Sequence, residues 1–551
     1  MAAFAGVGGM LPLSACSSGG SSTEPERAMF FTNGTIYLDA GRSVQSLTVT
    51  NGRVSGYNQS ASTFPSAQVV DLKGGVAYPG FHDSHNHLLE TSLASAGPDM
   101  SGLNTADAFA AKISQAVASG NFPDAAPMLG SGFTLADYNA WSLDDLAKID
   151  AASGNHPVIL MDNLGHNALA NSVALQLSNV TPATPVPFAG IVGIQNGKLT
   201  GMLRETAMIL AGNKIVGMIS DDSVLASTEK VLTLWASSGY TSINDMMGTP
   251  LARVMRPQMF KKLESQGKLS VRVNCAYTVF TLDDVESARA FVGQDTDMVR
   301  FLGCKIFVDG AFGAGQAWTS WKNLQGGNGI YYIWNDDTYG RQYNLNRIVE
   351  RVDELGMNMH YHMQGDMGIE AILNALDGVT AKRGRLNSVH TFIHLGFPRQ
   401  DQLIRMKGFG RQVNVTMQPA LYEVEANAAE YYGVDRMKGA YPISSVIAAG
   451  ITTGISTDFS VSPLNLSPSL SLLKTSLLSP NSPITLKQAI EGLTTGSAAT
   501  VPKQDTGTLD IGKWADMVVF DRDLAGVPAA KLDDPSSVKR VATWVGGRQT
   551  A

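Results

Sequence analysis

Apolar and polar residues alternate in three stretches near the start of the chain, AMFFTNGTIYLD (28–39), SVQSLTVTNGRVSGYN (43–58) and AQVVDLKGG (67–75). The same two-residue period returns at the far end, in GTLDIGKWADMVVFDRD (507–523) and SVKRVATWVGGRQT (537–550). Runs of period two around Asn-Gly pairs are β-hairpin signals. Strands at both ends predict a small β-sandwich domain assembled from residues 29–78 and 505–551. The middle of the chain follows another rule. Eight short apolar runs, GVAYPGFHDSH, GYTSINDMM, LSVRVNCAYTVF, RFLGCKIFVDG, MNMHYHMQGD, SVHTFIHLG, QVNVTMQPA and GITTGISTDFS, are interspersed with helix-like segments such as RPQMFKKLESQGK, NLNRIVERVDELG and SSVIAAG. This arrangement predicts an α/β fold, a (β/α)8 TIM-like barrel over residues 79–504. Residues 88–224 are too many for one strand–helix step and carry a strand of their own, PVILMDNLGHNALAN. They read as an insertion over the barrel mouth.

Composition alters this picture little. A chain of 551 residues, 16% charged and 44% hydrophobic, suits one large domain plus a smaller one. A net charge of −7 leaves no basic surface and argues against a nucleic-acid partner. Cys16, Cys275 and Cys304 form neither a CxxC pair nor a disulfide framework. The leader AAFAGVGGMLPLSACSSGGSS is too short to span a bilayer. It looks like the end of a bacterial lipoprotein signal with Cys16 as the lipidated residue, which sets residues 1–28 apart as signal and tether. That reading places the protein in the bacterial cell envelope or periplasm, lipid-anchored or secreted. The competing reading, a plain Gly/Ser leader, leaves it in the cytoplasm. An oligomer is compatible with either.

Chemistry enters with GFHDSHNHLLE, which places three of the chain's nine histidines within six positions. Side chains at i and i+2 of a strand share a face, so His85 and His87 would aim at one point, as two ligands of one metal must. His82 falls on the other face and reads as structural. In a barrel of this kind the chemistry sits at the C-terminal ends of the strands. There the later runs carry Lys305, His362, His394 and Asp458, in strand order.

Taken together, YPGFHDSHNHL, DNLGHNALANSVAL, CKIFVDGAFG, HMQGD, TMQPA and GKWADMVVFDRD resemble the amidohydrolase superfamily. The resemblance is strongest to its YtcJ-like branch, which includes N-substituted formamide deformylases, and it covers nearly all of residues 29–551. Three positions depart from the branch. Ile393 precedes His394 where Glu is usual, Ser456-Thr457-Asp458 replaces Gly-Ser-Asp, and AFGAGQAWTSW replaces a Ser-rich stretch after Asp309-Gly310.

The resemblance implies a metal-dependent hydrolase of a non-peptide C–N bond, an amide or N-substituted formamide with an apolar group. One or two divalent ions, zinc by chemistry, would be held by His85, His87 and Asp458, and by His362 and His394. Lys305, carboxylated by CO2, would bridge them, and Asp458 would also serve as general base. The partner is then a small molecule with an apolar portion. His166 either hydrogen-bonds that substrate or caps the insertion. Trp318, Trp321, Tyr331 and Tyr332 either line an apolar pocket or pack beneath the loop. Three rival assignments stay open: His360 in place of His362, His390 in place of His394, and a Lys305–Asp309 ion pair. So do rival functions: hydrolysis of a lactam, carbamate or ester, release of ammonia, or a non-catalytic, surface-tethered binding or regulatory role.

Overall fold

The computed structural model describes residues 28–551 except 136, 164, 188–189, 248–256, 460–467 and 504. Cys16 and the leader lie outside the described residues. Eight parallel strands form one sheet: β1 (Phe81–Asn86), β2 (Tyr240–Met247), β3 (Arg272–Thr278), β4 (Val299–Phe307), β5 (Met359–Met363), β6 (His390–His394), β7 (Val413–Met417) and β8 (Thr452–Ile455). Each strand pairs with the next in chain order, and helices lie between them. Helix Leu345–Glu354 shows the local logic: Asn344 caps it by accepting from Arg347 N–H, and Leu345, Ile348, Val349 and Val352 turn one buried face to the barrel.

The barrel is nearly closed between β8 and β1. Across that seam Asp458 N–H donates to the His85 carbonyl (3.0 Å) and His87 N–H to the Phe459 carbonyl (2.7 Å). Buried Asp83 accepts from Thr457 N–H (2.9 Å), Thr457 Oγ1 (2.6 Å) and Trp235 Nε1 (3.0 Å).

The expected first strand is in fact two. Val76–Pro79 pairs antiparallel with Met517–Phe520 in the terminal sheet, and only Phe81–Asn86 belongs to the barrel. Gly80 is the joint: a Cβ there would lie 2.1 Å from Thr241 Oγ1, so only glycine lets the chain cross so close to β2. Strands from both ends of the chain share a six-stranded sheet, and a four-stranded sheet is built from Ala28–Thr32, Leu47–Thr50, Arg53–Tyr57 and Gln68–Asp71. Their inner faces meet in one core that includes Phe31, Leu47, Met517 and Trp544.

The segment between β1 and β2 folds around its own five-stranded sheet, ordered Ile191–Gln195, Lys198–Arg204, Asn167–Ala170, Val158–Asp162, Met128–Phe133. PVILMDNLGHNALAN is not one strand but an antiparallel pair, Val158–Asp162 against Asn167–Ala170, with His166 at the end of its turn. Among the described residues, no helix is long and apolar enough to cross a membrane.

Candidate metal centre

Strand alternation alone does not aim the histidines. Asp83 pairs with Ile243 and Asn86 with Asp245, so β1 takes three steps against two on β2. The extra residue is a bulge, and bulges re-aim side chains. Ser84 Oγ bonds Thr416 Oγ1 on β7, while His85, the next residue, also reaches the centre, 3.1 Å from Asp458. His87 lies beyond the strand, as the residue that opens helix Leu88–Ser95. The two do converge, but not as two positions of one regular strand. His82 bonds Asn244 Oδ1 (2.8 Å) and stays out of the site.

A second bulge, in β4, turns Lys305 into the barrel: Cys275 pairs with Phe301 but Ala276 with Gly303. Gly303 has φ +126°, and a Cβ on it would meet the Asn358 carbonyl at 2.2 Å. His394 and Asp458 are re-aimed by the backbone itself, with φ of 73° and 54°. Left-handed conformations cost non-glycine residues roughly 1–3 kcal/mol each, and that strain collects where function requires an orientation.

One ligand atom from each of His85, His87 and Asp458 lies within 4.8 Å of the others. His85 Nε2 is 3.1 Å and His87 Nε2 3.5 Å from Asp458 Oδ1, and His394 Nδ1 is 3.8 Å from Asp458 Oδ2. The His362 and His394 ring centroids are 4.6 Å apart. His394 Nδ1 bonds Gln418 Oε1 (2.8 Å), whose amide nitrogen donates to Ser456 Oγ (2.8 Å). That network makes Nδ1 the protonated nitrogen and leaves Nε2 with its lone pair.

Buried His85 Nδ1 and Nε2, His362 Nε2, Lys305 Nζ and Asp458 Oδ1 have no hydrogen-bond partner. Orphaned buried groups on this scale demand an explanation, and a cation held by the lone pairs supplies one. The protonation states agree at three of the four imidazoles; burial would lower His87 too, but Asp458 and Glu90 beside it raise it, so a cation there would have to displace its proton. Burial drives His85 and His362 well below the usual imidazole range, and His394 to about 4 although Asp458 opposes it. Burial would raise Asp458, but His85 and His87 beside it hold it well below the ordinary carboxylate value. Neutral imidazoles beside an ionised carboxylate are the donor set of a divalent transition metal.

Lys305 is fully buried, and burial lowers its amine to about 7, with Asp458 pulling the other way. It does not pair with Asp309, which accepts instead from the backbone N–H groups of Gln364 (2.8 Å), Gly365 (2.7 Å) and Trp318 (3.0 Å). Of the rival histidines, His390 bonds Tyr361 Oη (2.8 Å) at the far end of β6. His360 is buried with both ring nitrogens unpartnered, but it is absent from the cavity wall that His362 lines.

A cavity of about 380 Å³ opens over these strand ends. His87, His362, His394 and Asp458 form its floor. Met161, Asp162 and His166 of the insertion line it, as do Phe307, Leu421 and Phe459. Trp318, Trp321, Tyr331 and Tyr332 do not line it, and the contacts of the first three are those of the packing alternative. Trp318 stacks on Tyr331 (centroids 4.7 Å apart), and Trp321 packs edge-on against Phe397 and Tyr432. Sequence reasoning missed Glu90, Glu205, Gln418 and Glu425. Glu205, Gln418 and Glu425 meet partners far away in the chain, which no spacing rule announces, whereas Glu90 lies 3.7 Å from His87 Nδ1, three residues before it.

The amidohydrolase family model matches residues 68–551. YtcJ of Bacillus subtilis (strain 168), an amidohydrolase by assignment, is 26% identical over 91% of this chain and 95% of its own length. The N-substituted formamide deformylase of Arthrobacter pascens is 23% identical over 88% of this chain and 90% of its own. The crystal structure of an uncharacterised metal-dependent hydrolase from Pyrococcus horikoshii OT3 superimposes with a TM-score of 0.72 at 22% identity, covering 91% of this chain and 99% of that one, a likeness of fold. A family match over most of the chain, joined to histidines and an aspartate gathered at the barrel mouth, leaves one assignment: the chain belongs to the amidohydrolase family and is a hydrolase acting on carbon–nitrogen bonds.

Proposed function

We propose that the protein hydrolyses a non-peptide amide, an N-substituted formamide or a close analogue, whose substituent is apolar. The observation that carries this reading is the convergence of His85, His87 and Asp458, with unsatisfied ligand atoms, at the base of a cavity that His87 and Asp458 line. The similarity to an N-substituted formamide deformylase supports the formamide class. Met161, Phe307, Leu421 and Phe459 offer the substituent an apolar wall.

His85, His87 and Asp458 would hold one ion, and His362 and His394 a second, with zinc the best match to this donor set. Such an ion lowers the pKa of a bound water from about 15.7 to roughly 7. Asp458, ionised and at the cavity floor, takes the water's proton and delivers it to the leaving nitrogen. Burial lowers the Lys305 amine to about 7; by adding its nitrogen to CO2 and losing a proton it would become a carbamate whose oxygens would serve as further metal ligands. His166 lines the wall above and donates a hydrogen bond to the substrate carbonyl.

Elemental analysis combined with an amide panel (formanilide, N-alkylformamides, a lactam, an aryl carbamate and an aminopyrimidine) tests the reading. The expected outcome is one or two equivalents of zinc, with formate and amine released from the formamides and both lost in His85→Ala/His87→Ala. Full activity in metal-free protein, or ammonia as the sole product, overturns it.

A further inference from the structure

Glu205 contacts no candidate metal ligand, yet it is buried, strained and charged. It follows strand Lys198–Arg204 with φ 52°, a left-handed conformation for a residue with a full side chain. What holds it there is His166. Glu205 N–H donates to the His166 carbonyl (2.9 Å), and Glu205 Oε2 accepts from His166 Nδ1 (2.8 Å). Tyr332 Oη, from the loop after β4, donates to the same carboxylate oxygen. Asp162 fixes the other side of the turn by accepting from the backbone N–H groups of His166 (2.9 Å) and Asn167 (3.0 Å). The imidazole is therefore gripped at its backbone and at Nδ1. Only Nε2 is left, on a residue that lines the cavity with its ring centroid 6.4 Å from that of His362.

We propose that Glu205 is the positioning residue for His166: with Tyr332 it fixes a proton on Nδ1 and holds Nε2–H in the cavity as the donor to the scissile carbonyl oxygen. This rests on the reading that His166 contacts substrate, and it adds the residue that makes that contact effective. A carboxylate behind a histidine fixes its orientation and stabilises the doubly protonated ring, the form in which Nδ1–H is given to Glu205 while Nε2–H remains a donor to developing negative charge. The electrostatics agree: burial lowers His166, but the Glu205 carboxylate outweighs it and raises the imidazole to about 9. Glu205 also ties the insertion to the barrel, since His166 belongs to one and Tyr332 to the other.

The test uses zinc-loaded, full-length protein. In Glu205→Gln the side chain keeps its shape and loses its charge. The bonded Nδ1–H of His166 should give a strongly downfield, slowly exchanging proton resonance in the wild type. That resonance should be absent from His166→Gln and from Glu205→Gln, and present in Tyr332→Phe. On whichever amide of the panel turns over fastest, His166→Gln should lower kcat by about 10²–10³-fold. Glu205→Gln should lower it by about 10–100-fold with KM changed little. The double variant should be no worse than His166→Gln alone, because Glu205 acts through that ring. Zinc content should stay at the wild-type level throughout. If Glu205→Gln keeps the resonance, or its loss adds to that of His166→Gln, the positioning role is overturned while the substrate contact stands. If His166→Gln keeps wild-type kcat, the contact reading fails and the positioning role falls with it.

Discussion

At the scale of single residues, the ligand types could be read from the chain, but their aim could not. His85, His87, His362, His394 and Asp458 stand out because histidines and a carboxylate recur at strand ends in a fixed order. Nothing in their spacing shows that β1 needs a bulge, or that His394 and Asp458 must take positive φ. Gln418 was visible only as part of TMQPA, and its grip on His394 is a contact between separate strands. That grip makes a prediction. Gln418→Ala removes the acceptor for His394 Nδ1–H and frees the ring to turn or change tautomer. Metal affinity should fall about 10–100-fold at the site His394 serves, with the His85, His87, Asp458 group retained. Zinc retained per chain during dialysis against a graded chelator series measures it. Retention curves identical to wild type would mean that Gln418 does not set the ring.

At the scale of elements, the eight strands follow the apolar runs closely because each run is long enough to be buried on both faces. The mistakes fall where one run serves two sheets, as at Pro79-Gly80, or where a turn hides inside a run, as at DNLGH. The first depends on a tertiary contact, of Gly80 with Thr241, and the second on a local one, in which Asp162 accepts from N–H groups four and five residues on. The seam between β8 and β1 is likewise invisible in sequence and is held largely by Asp83. In Asp83→Ala, Thr457 N–H, Thr457 Oγ1 and Trp235 Nε1 lose their acceptor in a dry environment. Each orphaned donor costs about 1–3 kcal/mol. The seam carries the backbone bond from Asp458 to His85, so the ligands should loosen with it. The variant should show both a lower urea midpoint and weaker zinc binding. A fall in stability with zinc affinity unchanged would separate the seam from the site.

At the scale of the whole molecule, the catalytic end of the barrel and its base face different demands. The base is where the sheet made from both chain ends docks, and a buried ion pair lies in that contact. Arg272, at the start of β3, donates from Nε and Nη2 to the two oxygens of Asp516 (2.8 and 2.9 Å). Its other terminal nitrogen donates to the Asp297 carbonyl (2.7 Å), its guanidinium lies 4.3 Å from the Trp514 ring centroid, and Gly546 N–H donates to Asp516 Oδ1 (2.7 Å). Alternation at the two termini foretold strands there, but no pattern foretold that an arginine in NCAYT's strand would seek an aspartate 244 positions later. Both side chains are almost fully buried, at 4% and 3% exposure. Removing one partner therefore leaves the other as an uncompensated charge, which costs about 3–5 kcal/mol. Arg272→Ala and Asp516→Ala should each lower stability by that amount. The double variant should lose clearly less than the sum, because no charge is then stranded. Zinc content and kcat of the folded fraction should be unaffected, since the pair sits at the opposite end of β3 from the cavity. Urea denaturation of all four proteins, followed by tryptophan fluorescence, measures the coupling. Strict additivity would mean that packing around Trp514, and not the ion pair, joins the terminal sheet to the barrel.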